Sequence, residues 1–337
     1  MSVVPSSGAA GATVRRLAIT LGDPRGVGPE VAAAAARIHA AEPGRSHLLF
    51  VGPAGTGAEA AADEFLSIGS WAAGRSAAEA GRLAGLAIER AARLALAGEV
   101  DGIVTAPVDK AALFAAGYPY PGHTEMLAAL SGTADVSMMM SADRTSLGGP
   151  LRVVLATTHV ALSDVPRLLT SDLLVRQTRI VTESLHAGWA MDRPRVALCA
   201  FNPHASDGGR FGDEEARIYG PALDRLRADG LDVHGPLPAD TVFVRAARGE
   251  FDVVIAPYHD VGMAAFKTAC FGQGVNVTLG LPFVRTSPDH GTALDRAGRG
   301  QADPTSMVEA LRLAERLAAR RRENEARGTR AFAEGTA

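Results

Sequence analysis

The sequence predicts an α/β protein with a mainly parallel sheet that helices cover on both faces. Three observations support this prediction: short runs that are apolar throughout, longer Ala- and Leu-rich stretches between them, and a hydrophobic content of 47% in 337 residues. Strands that are apolar on both faces are typical of parallel sheets, because helices pack against both sides of such sheets. A chain of this length forms two domains or one large α/β domain.

Seven apolar runs are predicted as strands. In chain order they are residues 16–20, 47–52, 102–105, 152–156, 195–200, 253–256 and 275–279. The intervening stretches favour helices, and this alternation is what indicates a parallel sheet. In sheets of this kind, ligands bind beyond the carboxyl ends of the strands.

The clearest helix is predicted to begin at Ser76, because Glu79 three positions later completes a capping box. We expect it to end at Gly98, since glycine commonly terminates helices. Its apolar stripe consists of Leu83, Leu86, Ala87, Ala91 and Leu94.

Two further helices have visible boundaries. One is predicted from about Asp213 to Asp229, where Gly230 ends it. The other begins near Pro304 and continues into a charged, solvated tail. The residues on its apolar face are Met307, Leu311, Ala314 and Leu317.

The composition excludes several classes of protein. A net charge of −3 and a pI of about 6.3 give no electrostatic reason to bind nucleic acid or an anionic membrane. The two cysteines, Cys199 and Cys270, form no CxxC pair, which excludes a disulfide scaffold or zinc ribbon and fits a reducing cytoplasm. No apolar run reaches the ~18 residues of a membrane span. Residues 1–14 lack the apolar region of a signal peptide, so a flexible leader is expected.

Three of the predicted strands are each followed by a histidine: His159, His204 and His259. Their separations of 45 and 55 residues mean that only neighbouring strand ends could bring them together. A single such histidine is more often structural, capped or in the core. Three at matching positions favour a metal site, because neutral imidazole is a common ligand of Zn²⁺ and related ions. The spacing does not choose between metals.

Three loops are open to more than one interpretation. Residues 201–215, FNPHASDGGRFGDEE, form a turn before a helix or a rigid loop for metal or substrate. Residues 22–30, GDPRGVGPE, occupy the strand-to-helix position where phosphates bind, but they match no nucleotide-binding fingerprint. Residues 122–125, GHTE, form a surface turn or offer donors to an anionic ligand.

Donors are interleaved with strand residues between positions 267 and 300. Lys267, Asn276 and Arg285 are the important ones. A lysine or arginine at a strand end is usually solvated, but a buried one needs an anion. Together these residues predict a pocket for a phosphate or carboxylate group.

Eight motifs occur in the order in which one enzyme family has them. They are ITLGDPRGVGPE, TAPVDK, GHTEML, ATTHVALSDVP, NPHASDGGRFGDEE, GPLPADTVF, YHDVGM and GVNVTLGLPFVRTSPDHGTALDRAGRGQADP. From about residue 16 to about residue 318, the chain therefore resembles the 4-hydroxythreonine-4-phosphate dehydrogenase (PdxA) family of vitamin B6 biosynthesis.

The resemblance implies two α/β/α domains similar to isocitrate and isopropylmalate dehydrogenases, with the active site in the interdomain cleft. Residues 15–130 together with 285–337 would form the first domain. Residues 131–284 would form the second, which would carry most of the metal ligands and the interface of a homodimer with shared active sites.

The resemblance also implies roles for individual residues. One divalent ion, Zn²⁺, Mg²⁺ or Co²⁺, would be bound by His159, His204 and His259. The substrate would contact His123, Thr124, Lys267, Asn276 and Arg285. The stretch HGTALDRAGRGQADP resembles the adenosine-binding loop of isopropylmalate dehydrogenases. It implies contacts to NAD or NADP from His290, Gly291, Thr292, Ala293, Asp295 and Asp303.

The implied reaction is the oxidation of 4-(phosphooxy)-L-threonine, followed by decarboxylation to 3-amino-2-oxopropyl phosphate, in pyridoxal phosphate biosynthesis. The metal would lower the pKa of the substrate hydroxyl and stabilise the enolate of decarboxylation. Lys267 or Asp240 could assist the proton transfer, and the sequence does not decide between them.

Departures from the family pattern leave the substrate open. Val261 stands where glutamine is usual, and KTACFG and GRFG replace other segments near the substrate. The alternatives are D-threonate or D-erythronate 4-phosphate, or an unphosphorylated cis-dihydrodiol. A metal-dependent phosphohydrolase, which would need no NAD, and a non-catalytic binding protein are the more remote hypotheses. The presence of Lys267, Asn276 and Arg285 together favours a phosphorylated substrate.

Overall fold

The computed structural model describes residues 14–334, so the predicted flexible leader lies outside the described residues except for Val14. The strands are β1 Arg16–Thr20, β2 His47–Ala54, β3 Glu64–Ser70, β4 Gly102–Thr105, β5 Ser137–Ala142, β6 Leu151–Leu155, β7 Val196–Cys199, β8 Val233–Leu237, β9 Val253–Ala256, β10 Val275–Leu279 and β11 Val284–Pro288. The helices are α1 Gly28–His39, α2 Ala77–Leu96, α3 Lys110–Ala115, α4 His123–Ser131, α5 Val165–Leu168, α6 Ser171–Trp189, α7 Gly220–Ala228, α8 Ala239–Ala247, α9 His259–Cys270 and α10 Thr305–Glu334.

All of these strands belong to one sheet, in the order β3-β2-β1-β4-β11-β10-β5-β6-β9-β7-β8. Most neighbouring strands are parallel, which confirms the predicted sheet type. The antiparallel contacts are β11 with β10, β10 with β5, and β5 with β6. Three reversals in succession make the parallel strands β6, β9, β7 and β8 run opposite to β1–β4. The carboxyl ends of the two parallel sets therefore lie at opposite edges of the sheet, on either side of the central strands.

Helices cover both faces of the sheet, as predicted. One face is buried by α1, α6, α7 and α10, which share an apolar cluster with the inward side chains of the strands. The opposite face is covered by two separate groups. Helices α2 and α4 pack over β1, β2 and β4. Helices α8 and α9 pack over β5, β6, β7 and β9. The gap between these two groups leaves part of the central strands accessible.

The predicted helix boundaries are confirmed by the local chemistry. The Ser76 hydroxyl accepts a hydrogen bond of 3.2 Å from the backbone N–H of Glu79 and so caps α2. After α2, Gly98 has the left-handed backbone conformation that ends a helix. The helix predicted from Asp213 begins as a π-helical turn at Glu215–Tyr219 before it continues as α7.

Four strands were not predicted from the sequence, because none of them is apolar throughout. β3 and β8 lie at the two edges of the sheet and are partly exposed. β5 is rich in methionine. β11, VRTSP, is buried at the centre of the sheet although most of its residues are polar. The proposed domain boundaries at residues 130/131 and 284/285 stay a prediction.

Gly81 fixes how closely α2 approaches the start of α3. A Cβ atom at this position would lie 2.0 Å from the carbonyl oxygen of Ala112. We expect Gly81→Ala to destabilise the protein by about 1–3 kcal/mol through overpacking, although alanine is the better helix former. The measurement is the free energy of unfolding in urea.

Gly220 is the matched control, because it is also helical but has no atom closer than 4.0 Å to an added Cβ. Gly220→Ala should leave stability unchanged or raise it by up to about 1 kcal/mol. Equal effects of the two substitutions would contradict the tight packing inferred at Gly81.

Candidate active site

A cavity of about 320 Å³ lies over the central strands, in the gap between the two helix groups. Both predicted domains contribute to its wall. Its polar and charged lining residues are Thr105, Lys110, His123, Thr124, Glu125, Thr158, His159, Gln177, Asn276, Arg285, Ser287 and His290. The cavity therefore contains four of the five residues predicted to contact substrate.

Arg285 carries a positive charge into the interior at this point. Its side chain extends from β11, and the residue is only 3% exposed. The guanidinium donates hydrogen bonds to the hydroxyls of Thr105, at 2.7 Å, and Thr278, at 2.9 Å. It forms no ion pair within the part of the chain that the structure describes. Burial lowers the pKa of Arg285 to about 10, since desolvation disfavours the charged form.

Three more buried polar atoms around the cavity have no hydrogen-bond partner within residues 14–327. They are Nε2 of His123, Oδ1 of Asn276 and Nε2 of His290. Burial lowers the pKa of His123 well below its ordinary value, and the charges of Arg285 and Lys110 lower it further. Buried polar groups are normally paired, so this set indicates a site that binds a polar ligand.

His159 follows β6 and lines this cavity, and His259 follows β9, the strand beside β6. The two histidines together line a separate, smaller cavity. Their ring centroids are 5.5 Å apart. Burial, and then the charge of Lys110, lower the pKa of His159, which keeps its imidazole neutral at pH 7. The Nδ1 atom of His259 is 2.7 Å from a carboxylate oxygen of Asp260, which leaves Nε2 free to bind a cation.

His204 follows β7, the next strand along the sheet, but its side chain is exposed. Residues 204–207 all have positive φ angles, an unusual conformation for four consecutive non-glycine residues. The carboxylate of Glu215 holds this turn. It accepts backbone N–H bonds from Phe201 and Asn202 and a hydrogen bond from the Ser206 hydroxyl.

Within the described residues of a single chain, the ring nitrogens of His159, His204 and His259 are not close enough together to bind one ion. The group whose ligand atoms lie within 4.8 Å of one another is His39, Glu42 and Glu315. That group is held by the hydrogen bond between His39 and Glu315 and by the ion pair between Glu42 and Arg312. The ligand roles of His159, His204 and His259 stay a prediction.

The two candidate catalytic residues lie outside the cavity wall. The Nζ atom of Lys267, on α9, donates a 3.2 Å hydrogen bond to the carbonyl oxygen of Asp289. Asp240 is exposed in the first turn of α8. The structure thus gives Lys267 a contact with the loop after β11 and gives neither residue a contact with the cavity.

The predicted cofactor-binding stretch forms a loop that runs between two cavities. His290 and Gly291 line the first cavity. Ala297, Gly298 and Gly300 line a second, of about 570 Å³. The remaining predicted residues do not line this second cavity: Thr292 accepts a backbone bond from Val27, Asp303 caps α10 through Thr305, and Asp295 is exposed.

The strand-to-helix loop at residues 22–30 holds that cofactor-binding stretch in place. A Cβ at Gly26 would lie 2.6 Å from the Thr292 carbonyl oxygen, so only glycine allows this approach. The carboxylate of Glu30, at the start of α1, accepts bonds from the backbone N–H groups of Gly298 and Ala302. The loop is therefore a wall of the second cavity rather than a free phosphate-binding turn.

Sequence reasoning missed several wall residues, most notably Lys110 and Glu125. Lys110 is the first residue of α3 and follows the TAPV segment, which already stood out as a motif. Thr105, at the carboxyl end of β4, supports the guanidinium of Arg285. Its position as the polar last residue of an apolar strand is the signal that could have identified it.

Comparison with known proteins gives consistent matches. Residues 19–314 match the family described as "Pyridoxal phosphate biosynthetic protein PdxA". A 4-hydroxythreonine-4-phosphate dehydrogenase from Beijerinckia indica is 42% identical over 328 residues, which cover 89% of this chain and 94% of that protein. The crystal structure of the enzyme with the same name from Klebsiella pneumoniae has a TM-score of 0.79 at 37% identity, covering 90% and 99% of the two chains.

More distant structures also match. A terephthalate 1,2-cis-dihydrodiol dehydrogenase from Burkholderia xenovorans has a TM-score of 0.63 at 29% identity, covering 89% of this chain and 97% of that one. A β-decarboxylating dehydrogenase from Thermococcus kodakarensis has a TM-score of 0.53 at 16% identity, covering 90% and 84%, a likeness that concerns the fold alone. The predicted fold class is thereby confirmed.

Glu215 should stabilise the turn that carries His204. Burial raises the pKa of Glu215, but hydrogen bonds from Asn202 and Ser206 outweigh that effect and lower it below its ordinary value. A depressed carboxyl pKa gives stability above the unfolded pKa of about 4.3 that is lost as the pH falls. We expect Glu215→Gln to cost at least about 1–3 kcal/mol at pH 7 and to weaken the acid dependence of stability, measured by urea unfolding at several pH values.

Glu183 is the control, since it is an exposed carboxylate on α6. Glu183→Gln should stay within about 0.5 kcal/mol of the wild type at every pH. A Glu215→Gln variant with wild-type stability at pH 7 would show that the turn does not depend on this carboxylate.

Proposed function

The chain belongs to the PdxA family of pyridoxal phosphate biosynthetic proteins, and we propose that it is a metal-dependent 4-hydroxythreonine-4-phosphate dehydrogenase. The proposed reaction oxidises the secondary hydroxyl of 4-(phosphooxy)-L-threonine with NAD or NADP. Loss of CO₂ then gives 3-amino-2-oxopropyl phosphate. The observation that carries this proposal is the buried Arg285, which forms no ion pair in the described chain and faces a cavity with other unpaired polar atoms.

The phosphate group is the natural partner of Arg285. A buried guanidinium with only hydroxyl partners is costly, and a phosphate both neutralises the charge and accepts several hydrogen bonds. His123 and Thr124 form the first turn of α4, where the helix dipole also favours a negative group. Asn276 provides an amide that can turn either its oxygen or its nitrogen to the ligand.

The three histidines fit a divalent ion by their chemistry. His159 is neutral at pH 7, and His259 is oriented by the carboxylate of Asp260. With His204 they would hold Zn²⁺, Mg²⁺ or Co²⁺, which supplies a Lewis acid beside the substrate hydroxyl. The chain's own residues would hold the substrate: Arg285 would bind one end of the molecule, and the hydroxyl would lie towards His159 in the wall of the same cavity.

The cofactor proposal rests on residues 290–303. Because this loop lines both cavities, a dinucleotide lying along it could extend from the substrate into the second cavity. NAD(P) would accept the hydride from the carbon that carries the hydroxyl. Whether NAD or NADP is used stays open, as does the role of Lys267 and Asp240 in proton transfer.

We propose a homodimer with shared active sites, in which residues 131–284 supply the interface and most of the metal ligands. The support is that His204 lies apart from the pair formed by His159 and His259 in one chain. A second copy would complete the ligand set. The exposed, preorganised turn at residues 204–207 suits a residue that is offered to a neighbouring subunit.

The alternatives receive less support. A cis-dihydrodiol has no phosphate group for Arg285, and a phosphohydrolase or a binding protein would have no use for a cofactor loop. D-Threonate or D-erythronate 4-phosphate fits the charge of the cavity equally well, so the test includes them.

No helix in the part of the chain that the structure describes is long and apolar enough to cross a membrane. Both cysteines are buried free thiols, which suits the cytoplasmic location that we propose.

The substrate proposal predicts a strong preference for phosphorylated hydroxy acids. NADH or NADPH formation is followed with 4-(phosphooxy)-L-threonine, D-threonate and D-erythronate 4-phosphates, their dephosphorylated forms and a cis-dihydrodiol. We expect kcat/KM to fall by about a hundredfold or more on loss of the phosphate, because a buried cation loses its partner. Arg285→Ala should abolish most of that preference without loss of bound metal. Equal kcat/KM for a phosphorylated substrate and its free alcohol would overturn the proposal.

The shared-site proposal predicts complementation between two inactive variants. His123→Ala and His204→Ala should each lose most activity as homodimers. If His204 contributes to the active site of the neighbouring subunit, a heterodimer of the two variants contains one site with both histidines intact and one site that lacks both. After subunit exchange, the heterodimers should therefore regain about a quarter to a half of the wild-type activity. Mass spectrometry verifies the heterodimer, and metal analysis of each homodimer provides the control. Verified heterodimers without activity would place all ligands in one chain.

A further inference from the structure

The chain uses lysine at very few positions. Of its 34 basic residues, 32 are arginine and two, Lys110 and Lys267, are lysine. A solvated surface cation can be either residue, and this chain almost always uses arginine there. Lys110 and Lys267 are thus the two positions at which the chain has a compact ammonium group instead of a guanidinium. Lys267 already has a contact, with the carbonyl oxygen of Asp289.

Lys110 lines the substrate cavity, and its ammonium has no hydrogen bond or ion pair in the described part of the chain. Its Cε atom lies near Gly122, where an added Cβ would be 3.7 Å away. Gly122 immediately precedes His123 at the start of α4. Lys110 is exposed, and its side chain lies along the cavity wall beside the proposed phosphate end. A carboxylate oxygen of Glu125 would lie 3.5 Å from the same added Cβ, so an acidic side chain is close to Lys110.

The backbone at Lys110, where α3 begins, is held in place by a network of charged side chains. Asp109 caps α3 by accepting a 2.9 Å bond from the backbone N–H of Ala111. Its other carboxylate oxygen accepts a 2.8 Å bond from Arg25. Arg25 also donates two bonds to the fully buried Asp23, one of 3.0 Å and one of 2.7 Å. This network ties the start of α3 to the loop after β1.

Lys110 lines the same cavity as Arg285, His123 and His159. Its positive charge contributes to the lowered pKa of His123, after burial and the charge of Arg285. Lys110 is therefore close enough to this part of the cavity wall to act on a ligand bound there.

We propose that Lys110 binds the substrate carboxylate, and that Arg25 is a positioning residue that directs it to the cavity through Asp109. This inference rests on the proposed function, in which the substrate carries a phosphate, a hydroxyl and a carboxylate. Arg285 accounts for the phosphate, and the histidines account for the hydroxyl. The carboxylate is the remaining anionic group, and Lys110 is the remaining cation of the cavity wall.

The test measures binding rather than turnover. Its result therefore bears on the role of Lys110 even if the proposed oxidation is not observed. Two probes are titrated calorimetrically into the full-length, zinc-loaded protein: 3-phosphoglycerate, which has a phosphate, a hydroxyl and a carboxylate, and glycerol 3-phosphate, which lacks the carboxylate. We expect the wild type to prefer 3-phosphoglycerate. Lys110→Gln should reduce that preference by about threefold to tenfold, as expected for a partly exposed charged pair, and should leave the affinity for glycerol 3-phosphate unchanged.

Arg90→Gln is the matched control, since Arg90 is an exposed cation on α2 that lines neither cavity. It should bind both probes as the wild type does. A Lys110→Gln variant that loses affinity for both probes equally, or for neither, would overturn the carboxylate assignment. A wild type with no preference between the probes would overturn it as well.

Asp109→Asn tests the positioning role of Arg25. Asparagine can still cap α3, but it pairs more weakly with Arg25. The variant should keep the thermal stability of the wild type to within a few degrees and lose part of the preference for 3-phosphoglycerate. A variant with the full wild-type preference would remove Arg25 from the proposal and leave Lys110 to act alone.

Discussion

The buried guanidinium of Arg285 is the constraint around which the centre of the molecule is organised. It lies on a strand at the middle of the sheet, and only two threonine hydroxyls, those of Thr105 and Thr278, accept its hydrogen bonds. Hydroxyls solvate a cation but do not neutralise it. An interior charge left in this state favours any anion that fits the adjoining cavity. The free protein is thus prepared for an anionic ligand at the cost of some of its own stability.

The arrangement of the sheet places this charge opposite the metal-ligand candidates. The antiparallel strands β10 and β5 separate two sets of parallel strands that run in opposite directions. As a result, residues that follow β4 and residues that follow β6 line the same cavity, although they come from opposite halves of the sheet. A fully parallel sheet would put all of these loops along one edge.

Carboxylates hold several of the segments around the cavity in place. Glu215 holds the turn of His204, Asp260 orients His259, and Asp109 caps the start of α3. These contacts form within the chain before any ligand arrives, which reduces the entropy lost on binding. The same principle applies to the loop at residues 290–303, which Glu30 anchors by accepting two backbone N–H bonds.

The sequence by itself determined the apolar strands, the capped α2 and the sheet type, because periodicity and capping depend on residues that are close together in the chain. Residues at strand ends, such as His159 and His259, could also be identified, since parallel strands bring their carboxyl ends together. Only the tertiary structure revealed β11 as a central strand, because its polar residues pair with groups distant in the chain, such as Thr105 at the end of β4. Only the tertiary structure also showed that His204 lies apart from the other two histidines and that Lys110 lines the cavity. Both positions depend on how loops from different elements pack together. Local sequence patterns do not indicate contacts between residues that are distant in the chain. The strands could therefore be predicted from the sequence, but the residues of the cavity wall could not.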